Sequence, residues 1–176
     1  MMQKTLLTVV TLCLAGVVSA LAEGEIGKIT RFDGKAKILS GTTVVDVKEV
    51  GQPVLNGDKI QTEDGSVDVG FADGAQLQIK PFSTITVDEK TIEKGILFFK
   101  TKQDTRRVTA NVGKAHFKSG EVSEKKNYLQ TPTAVCALRG TEGDFGYDNQ
   151  NSYLNLTIGN ADVIGNILRG AFPDFD

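Results

Sequence analysis

The sequence predicts an all-β fold: short, twisted antiparallel strands and hairpins arranged as a sandwich or roll. Three observations predict it. Apolar and polar residues alternate with period two along almost every segment; in 66–71, Val67, Val69 and Phe71 oppose Ser66, Asp68 and Gly70. Asp-Gly pairs at 33–34, 64–65 and 73–74 punctuate these runs, and Gly accepts the positive φ of tight turns freely while Asp tolerates it. Val, Ile and Thr are plentiful, Trp is absent, and no amphipathic helix of useful length follows residue 22. A β-solenoid-like stack is the alternative, weakened because the turns recur at no fixed spacing.

The first segment is of another kind. Residues 1–4 carry a positive charge, 5–18 are apolar, and Ala20-Leu21-Ala22 has the small-x-small pattern of a cleavage site. This predicts a signal peptide over 1–22, cleaved after Ala22, and a periplasmic or secreted protein. Leu12 stands before Cys13 where lipidation wants a small residue, so a lipoprotein signal is not expected. No other apolar run is long enough to cross a bilayer, so the mature protein is expected to have no membrane span. Residues 23–170 are expected to form one all-β domain and 171–176 a loose tail. Cys136 is the only cysteine after residue 22, so no internal disulfide is expected.

Strands are expected in order at 26–32, 35–39, 43–47, 66–71, 75–79, 84–87, 96–99, 108–112, 128–130, 134–138, 153–158 and 161–164. The runs 26–32 and 35–39 flank Asp33-Gly34, and 66–71 and 75–79 flank Asp73-Gly74. Both pairs read as hairpins. The polar stretches 101–105 and 120–127 read as loops, and 147–151 as turn residues.

Charge is uneven. Residues 90–126 hold ten Lys or Arg and four Asp or Glu within an otherwise acidic chain. A solvated strand face accounts for this simply. The sharper reading is an interaction patch of Lys100, Lys102, Arg106 and Arg107 for an envelope protein or an anionic envelope polymer. Export argues against nucleic acid, and the sequence assigns no oligomeric state.

Candidate chemistry is sparse. His116 is the only histidine, too few for the usual zinc site. No phosphate loop or calcium-loop spacing is present, so neither cofactor nor metal is expected. Cys136 lies in an apolar run and reads as a small buried hydrophobe. An envelope enzyme using a Cys136–His116 pair is the second functional reading; no oxyanion-hole signature surrounds Cys136. A small outer-membrane barrel is set aside because the expected strands are short and rich in Asp.

Two blocks carry a family likeness. The first holds Gly57, Asp58, Thr62, Ser66, Asp73, Gly74 and Ser83; the second runs from Thr131 to Glu142 and contains Arg139-Gly140-Thr141. Together they resemble the FecR domain. The resemblance implies an exported, all-β, non-catalytic binding or scaffolding module of envelope signalling or of a cell-surface assembly, with these motif residues mainly structural. It implies no particular ligand. The likeness departs in the longer basic segment and in Gly143-Asp144, which precede Phe145 where the family has an aromatic at once. Arg139 ends an apolar strand and is expected to be buried and paired with Asp58 or Asp73. Alternatively, Arg139 and Thr141 present donors to a partner.

Overall fold

The computed structural model describes residues 24–96, 99–120 and 125–165. The expected signal peptide and tail lie outside these residues. Twelve strands follow in order: β1 Glu25–Asp33, β2 Ala36–Ser40, β3 Thr43–Asp46, β4 Pro53–Leu55, β5 Lys59–Thr62, β6 Ser66–Phe71, β7 Gln76–Ile79, β8 Thr84–Ile96, β9 Phe99–Lys118, β10 Lys126–Gln130, β11 Ala134–Tyr147 and β12 Ser152–Gly165. Among the described residues no helix is long and apolar enough to cross a membrane.

All twelve strands belong to one sheet that closes into a barrel, with further strands outside it. β9 is the hinge of the closure. Its first part pairs with β8 and, in parallel, with β10. Its last part pairs with β7 and β11. β11 in turn pairs with β10 through 135–138 and with β9 through 142–147, which shuts the ring. The β9–β10 pair departs from the all-antiparallel expectation.

Alternation decides what faces inward. β6 buries Val67, Val69 and Phe71 and turns Asp68 and Gly70 outward. Leu77, Ile79, Ala115, Phe117 and Phe145 join them from β7, β9 and β11, while Ile60, Ile85, Val87 and Val108 approach from β5, β8 and β9. Each of the Val, Leu, Ile and Phe side chains contributes roughly 1.5–3 kcal/mol when fully buried. An apolar interior with a polar outside is the reverse of a membrane barrel.

One expected hairpin is not a hairpin. β1 pairs with β4 and β6, and β2 with β3 and β5, so Asp33-Gly34 joins strands that do not pair. Asp64-Gly65 likewise links β5 to β6 without pairing them. Both are corners where the chain passes from one half of the folded sheet to the other. They lie against each other: a Cβ on Gly65 would sit 1.7 Å from the Asp33 carbonyl oxygen and 2.7 Å from Gly34 Cα. Only Asp73-Gly74 closes a hairpin, with Gly70 opposite Gln76. The dipeptide supplies a bend in all three places; strand register decides what the bend connects.

The corner between β7 and β8 stacks beside these. Thr62 Oγ1 donates to the Lys80 carbonyl (2.7 Å) and accepts from the Ser83 amide (3.0 Å). Ser83 Oγ accepts from the Lys114 amide (2.9 Å). Two hydroxyls thus tie three passages of chain. Thr62→Val should therefore cost about 1–3 kcal/mol, since it leaves the Ser83 amide without its acceptor. Thr62→Ser, which keeps the hydroxyl, should cost less; urea midpoints at constant m decide between them.

Other expectations also shift. Thr101–Thr105 is strand within β9, not loop, and β8, β9, β11 and β12 are longer than expected. The short strands β4 and β5 were not anticipated; Pro53 opens β4, where a missing donor is tolerated. Asp148 accepts the Gln150 and Asn151 amides (3.0 and 2.6 Å) in the turn after β11, and those bonds hold its carboxyl below the usual range.

Candidate functional site

Most motif residues are spent on the backbone. Asp58 is buried, and its Oδ2 accepts the Leu55 amide at 2.8 Å, closing the turn between β4 and β5. Gly57 supplies positive φ there (+83°) and donates to the Val87 carbonyl (2.9 Å). Thr62 and Ser83 hold the corners already described, and Ser66 opens β6 opposite Asp33. Gly74 (φ +81°) turns the β6–β7 hairpin. Gly140 (φ +58°) bends β11 where it leaves β10 for β9, and buried Thr141 donates to the Asn160 carbonyl at 2.8 Å. The side chain of Arg139 lies outside the described set.

The buried arginine is Arg106. It was expected on the surface with Lys100, Lys102 and Arg107, yet it is 1% exposed. Its Nη2 lies 2.9 Å from Asp73 Oδ1, its Nε 2.7 Å from Glu89 Oε1, and its Nη1 3.4 Å from Asn127 Oδ1. The guanidinium stacks over Phe71 at 3.8 Å from the ring centroid. Lys125 also pairs with Glu89, and Asp73 Oδ1 accepts the Ala75 amide at 3.2 Å. The hairpin aspartate therefore shapes its turn and pairs a buried cation. A guanidinium can satisfy several partners at once in this way, which a lysine ammonium cannot match in geometry.

The proposed basic patch is thereby broken up. Arg107, next along the strand, faces the other way and is half-buried opposite Asp88. Burial pushes its guanidinium below the ordinary value, and Asp88 opposes that. Lys102 is exposed on the β8–β9 ribbon opposite Glu93, and the side chain of Lys100 lies outside the described set.

Cys136 and His116 are not brought together. Cys136 is buried in the core, where burial raises its thiol pKa. His116 points outward between inward-facing Ala115 and Phe117, with Nδ1 3.1 Å from Asp144 and Nε2 3.3 Å from Glu142.

That outward face carries a groove of about 540 Å³ lined by Thr30, Arg31, Asp68, Gly70, Gln76, Gln78, His116, Lys118 and Glu142, together with Val69 and Leu77. Register sets its two cross-strand rows. Asp68, Gln78, His116 and Asp144 are successive partners across β6, β7, β9 and β11. Gly70, Gln76, Lys118 and Glu142 form the next row. Arg31 Nε pairs with Asp68 Oδ2 at 2.9 Å, and Lys118 with Glu142 at 3.5 Å. Asp68 Oδ1 is buried with no hydrogen-bond partner. This face does not stand out in the sequence. Its signal was the polar half of each alternating run.

A family model described as FecR protein matches residues 58–162. The chain belongs to the FecR family. No curated protein matches the chain, and no solved structure matches it. The FecR match begins at Asp58 and takes in both motif blocks apart from Gly57, the Arg106 cluster and every strand from β6 to β11. Membership is consistent with a function related to envelope signalling. β1, whose Thr30 and Arg31 line the groove, precedes the FecR match.

Tyr153 lies beside this FecR face, against Gly146, with Lys114 Nζ 5.3 Å from its ring centroid. Its buried hydroxyl has no hydrogen-bond partner. Burial first, then Asp144 and Asp148, raise its pKa from 10.0 to about 12. A raised folded-state pKa stabilises the fold fully below the unfolded value and is lost as pH rises through the folded one. Between pH 10 and 12, wild type should therefore lose stability faster than Tyr153→Phe, as unfolding midpoints of the two proteins would record.

Proposed function

We propose that this chain is an exported, non-catalytic FecR-type module that binds and scaffolds a component of the cell envelope, in the periplasm or outside the cell. The carrying observation is where the polar motif residues go. Asp58, Thr62, Ser83 and Thr141 each hydrogen-bond to main chain, and Asp73 serves a turn and Arg106. Their chemistry is spent on holding corners, turns and one buried cation. Recognition then falls to the outer face of β1, β6, β7, β9 and β11, where side chains are accessible around the groove. The ribbon of β8 and β9, with Lys102, is the second surface. It retains the reading of an anionic envelope polymer or acidic protein, but with Arg106 buried it offers less charge than the sequence suggested.

The test is recovery of envelope components on immobilised protein. Wild type is compared with Gln76→Ala/Gln78→Ala in the groove and with Lys102→Glu on the ribbon. Loss of a wild-type component with the groove variant alone supports the reading. Equal recovery by all three overturns the assignment of recognition to the groove.

A further inference from the structure

We propose that the groove over β1, β6, β7, β9 and β11 is a subsite for an uncharged, hydroxyl-rich saccharide. This rests on the reading that the face binds an envelope component, and it names the chemistry of that component.

Charge is the first argument. The charged groups of the groove are already matched locally, Arg31 with Asp68 and Lys118 with Glu142, while His116 lies between Glu142 and Asp144. A polyanion would have to displace Glu142 or Asp68 from these pairs, and a cationic peptide would have to displace Lys118 or Arg31. A neutral ligand has no such competition.

Hydrogen-bonding capacity is the second. Gln78 stands between Asp68 and His116 in one row, and Gln76 between Gly70 and Lys118 in the other. Gln76 both donates and accepts, Gln78 donates through its Nε2 while its Oε1 already accepts from Lys80, the carboxylates accept only, and Lys118 donates only. A sugar hydroxyl does both, so one ring with adjacent hydroxyls satisfies such a mixed row. Gly70 leaves the floor low between Thr30 and Gln76; a Cβ there would lie 2.8 Å from Thr30 Cγ2. At about 540 Å³ the groove is within the usual range for small-ligand sites.

Asp68 is the third. A buried acceptor without a donor is uncommon in folded proteins and calls for an explanation. The other Asp68 oxygen, Oδ2, pairs with Arg31 at 2.9 Å, and Asp68 itself lines the groove. A ligand hydroxyl that reaches Oδ1 while Arg31 keeps Oδ2 supplies the missing donor without breaking the ion pair. No aromatic platform is among the residues lining the groove, so millimolar affinity is expected.

His116, the only histidine in the chain, reports on the groove directly through its imidazole resonances. The full chain is titrated with maltohexaose, cellohexaose and chitohexaose, and with an oligogalacturonate as the charged control. The expected result is a saturable shift of the His116 signals with at least one neutral hexaose. Affinity should fall at least tenfold in both Gln78→Ala and Asp68→Asn, with melting temperatures within a few degrees of wild type. Absence of a shift with all three neutral hexaoses, a response to the oligogalacturonate alone, or undiminished binding by both variants overturns the proposal. If the hexaoses fail while Gln76→Ala/Gln78→Ala still loses its envelope component, the saccharide assignment falls and the binding reading stands. If both fail, both fall.

Discussion

Arg106→Met should destabilise the protein by about 3–5 kcal/mol, the largest effect expected of any charge-removing substitution. Methionine keeps the apolar stem and removes the charge. It leaves Asp73 and Glu89 facing one another with side chains only 17% exposed. Lys125 still neutralises part of Glu89, but Asp73 loses its cation and Asn127 loses a donor. The stacking on Phe71 disappears as well, worth roughly 0.5–2 kcal/mol. Desolvation acts against the cluster in the folded state, so net stabilisation is not what the number measures. It measures the cost of removing the shared cation from two largely buried carboxylates. Asp73→Asn should therefore recover part of the loss when combined with Arg106→Met, giving a coupling of about 0.5–3 kcal/mol in a double-mutant cycle. Lys102→Glu, four residues away on the exposed ribbon, should stay within about 0.5 kcal/mol of wild type. If Arg106→Met matched Lys102→Glu in its urea midpoint, Arg106 would be a surface residue after all.

That arginine also shows what the sequence concealed. Period-two alternation was visible: Arg106 shares its face with Val108 and Ala110, both buried. Read by parity, Arg106 belongs inside and Arg107 outside. Read as a block of charge, both belong outside, and the block reading is the weaker one on a strand, where neighbours point to opposite faces. The same parity separates His116 from the core while Cys136 sits in it. The all-β class, the Asp73-Gly74 hairpin and the family were legible because they depend on local pattern. Asp33-Gly34 and Asp64-Gly65 carry the same local pattern, yet they are corners, because pairing depends on which distant strand offers the matching register. The groove was hidden for that reason. Thr30, Asp68, Gln78, His116 and Glu142 come from five strands that are neighbours in the sheet although most are separated by other strands in the chain. Asp73 meets Arg106, from a segment read as surface, while the side chain of Arg139, for which that pairing was expected, lies outside the described set.

Gly113→Ala should cost about 3–5 kcal/mol, at the upper end for a single substitution. Gly113 has φ +88°, and a Cβ there would lie 2.3 Å from Ser83 Oγ and 2.6 Å from Ser83 Cα. Gly51 separates the two causes: its φ is +90° with nothing within 4 Å, so Gly51→Ala carries the backbone strain alone, about 1–2 kcal/mol. The excess at Gly113 reports the packing of the corner. Gly113→Ala/Ser83→Gly removes the hydroxyl but not the approach to Ser83 Cα, so it should not return to the Gly51→Ala value. Equal costs for Gly113→Ala and Gly51→Ala would mean that the corner is not packed as described. The position also bears on binding. Gly113 lies where β9 leaves β8 for β7, with Arg106 on one side of the bend and His116 on the other. The strand that carries the buried cation thus continues as a wall of the groove. A displaced bend shifts His116 against Gln78 and Asp144, so Gly113→Ala should move the His116 resonances where Gly51→Ala leaves them in place.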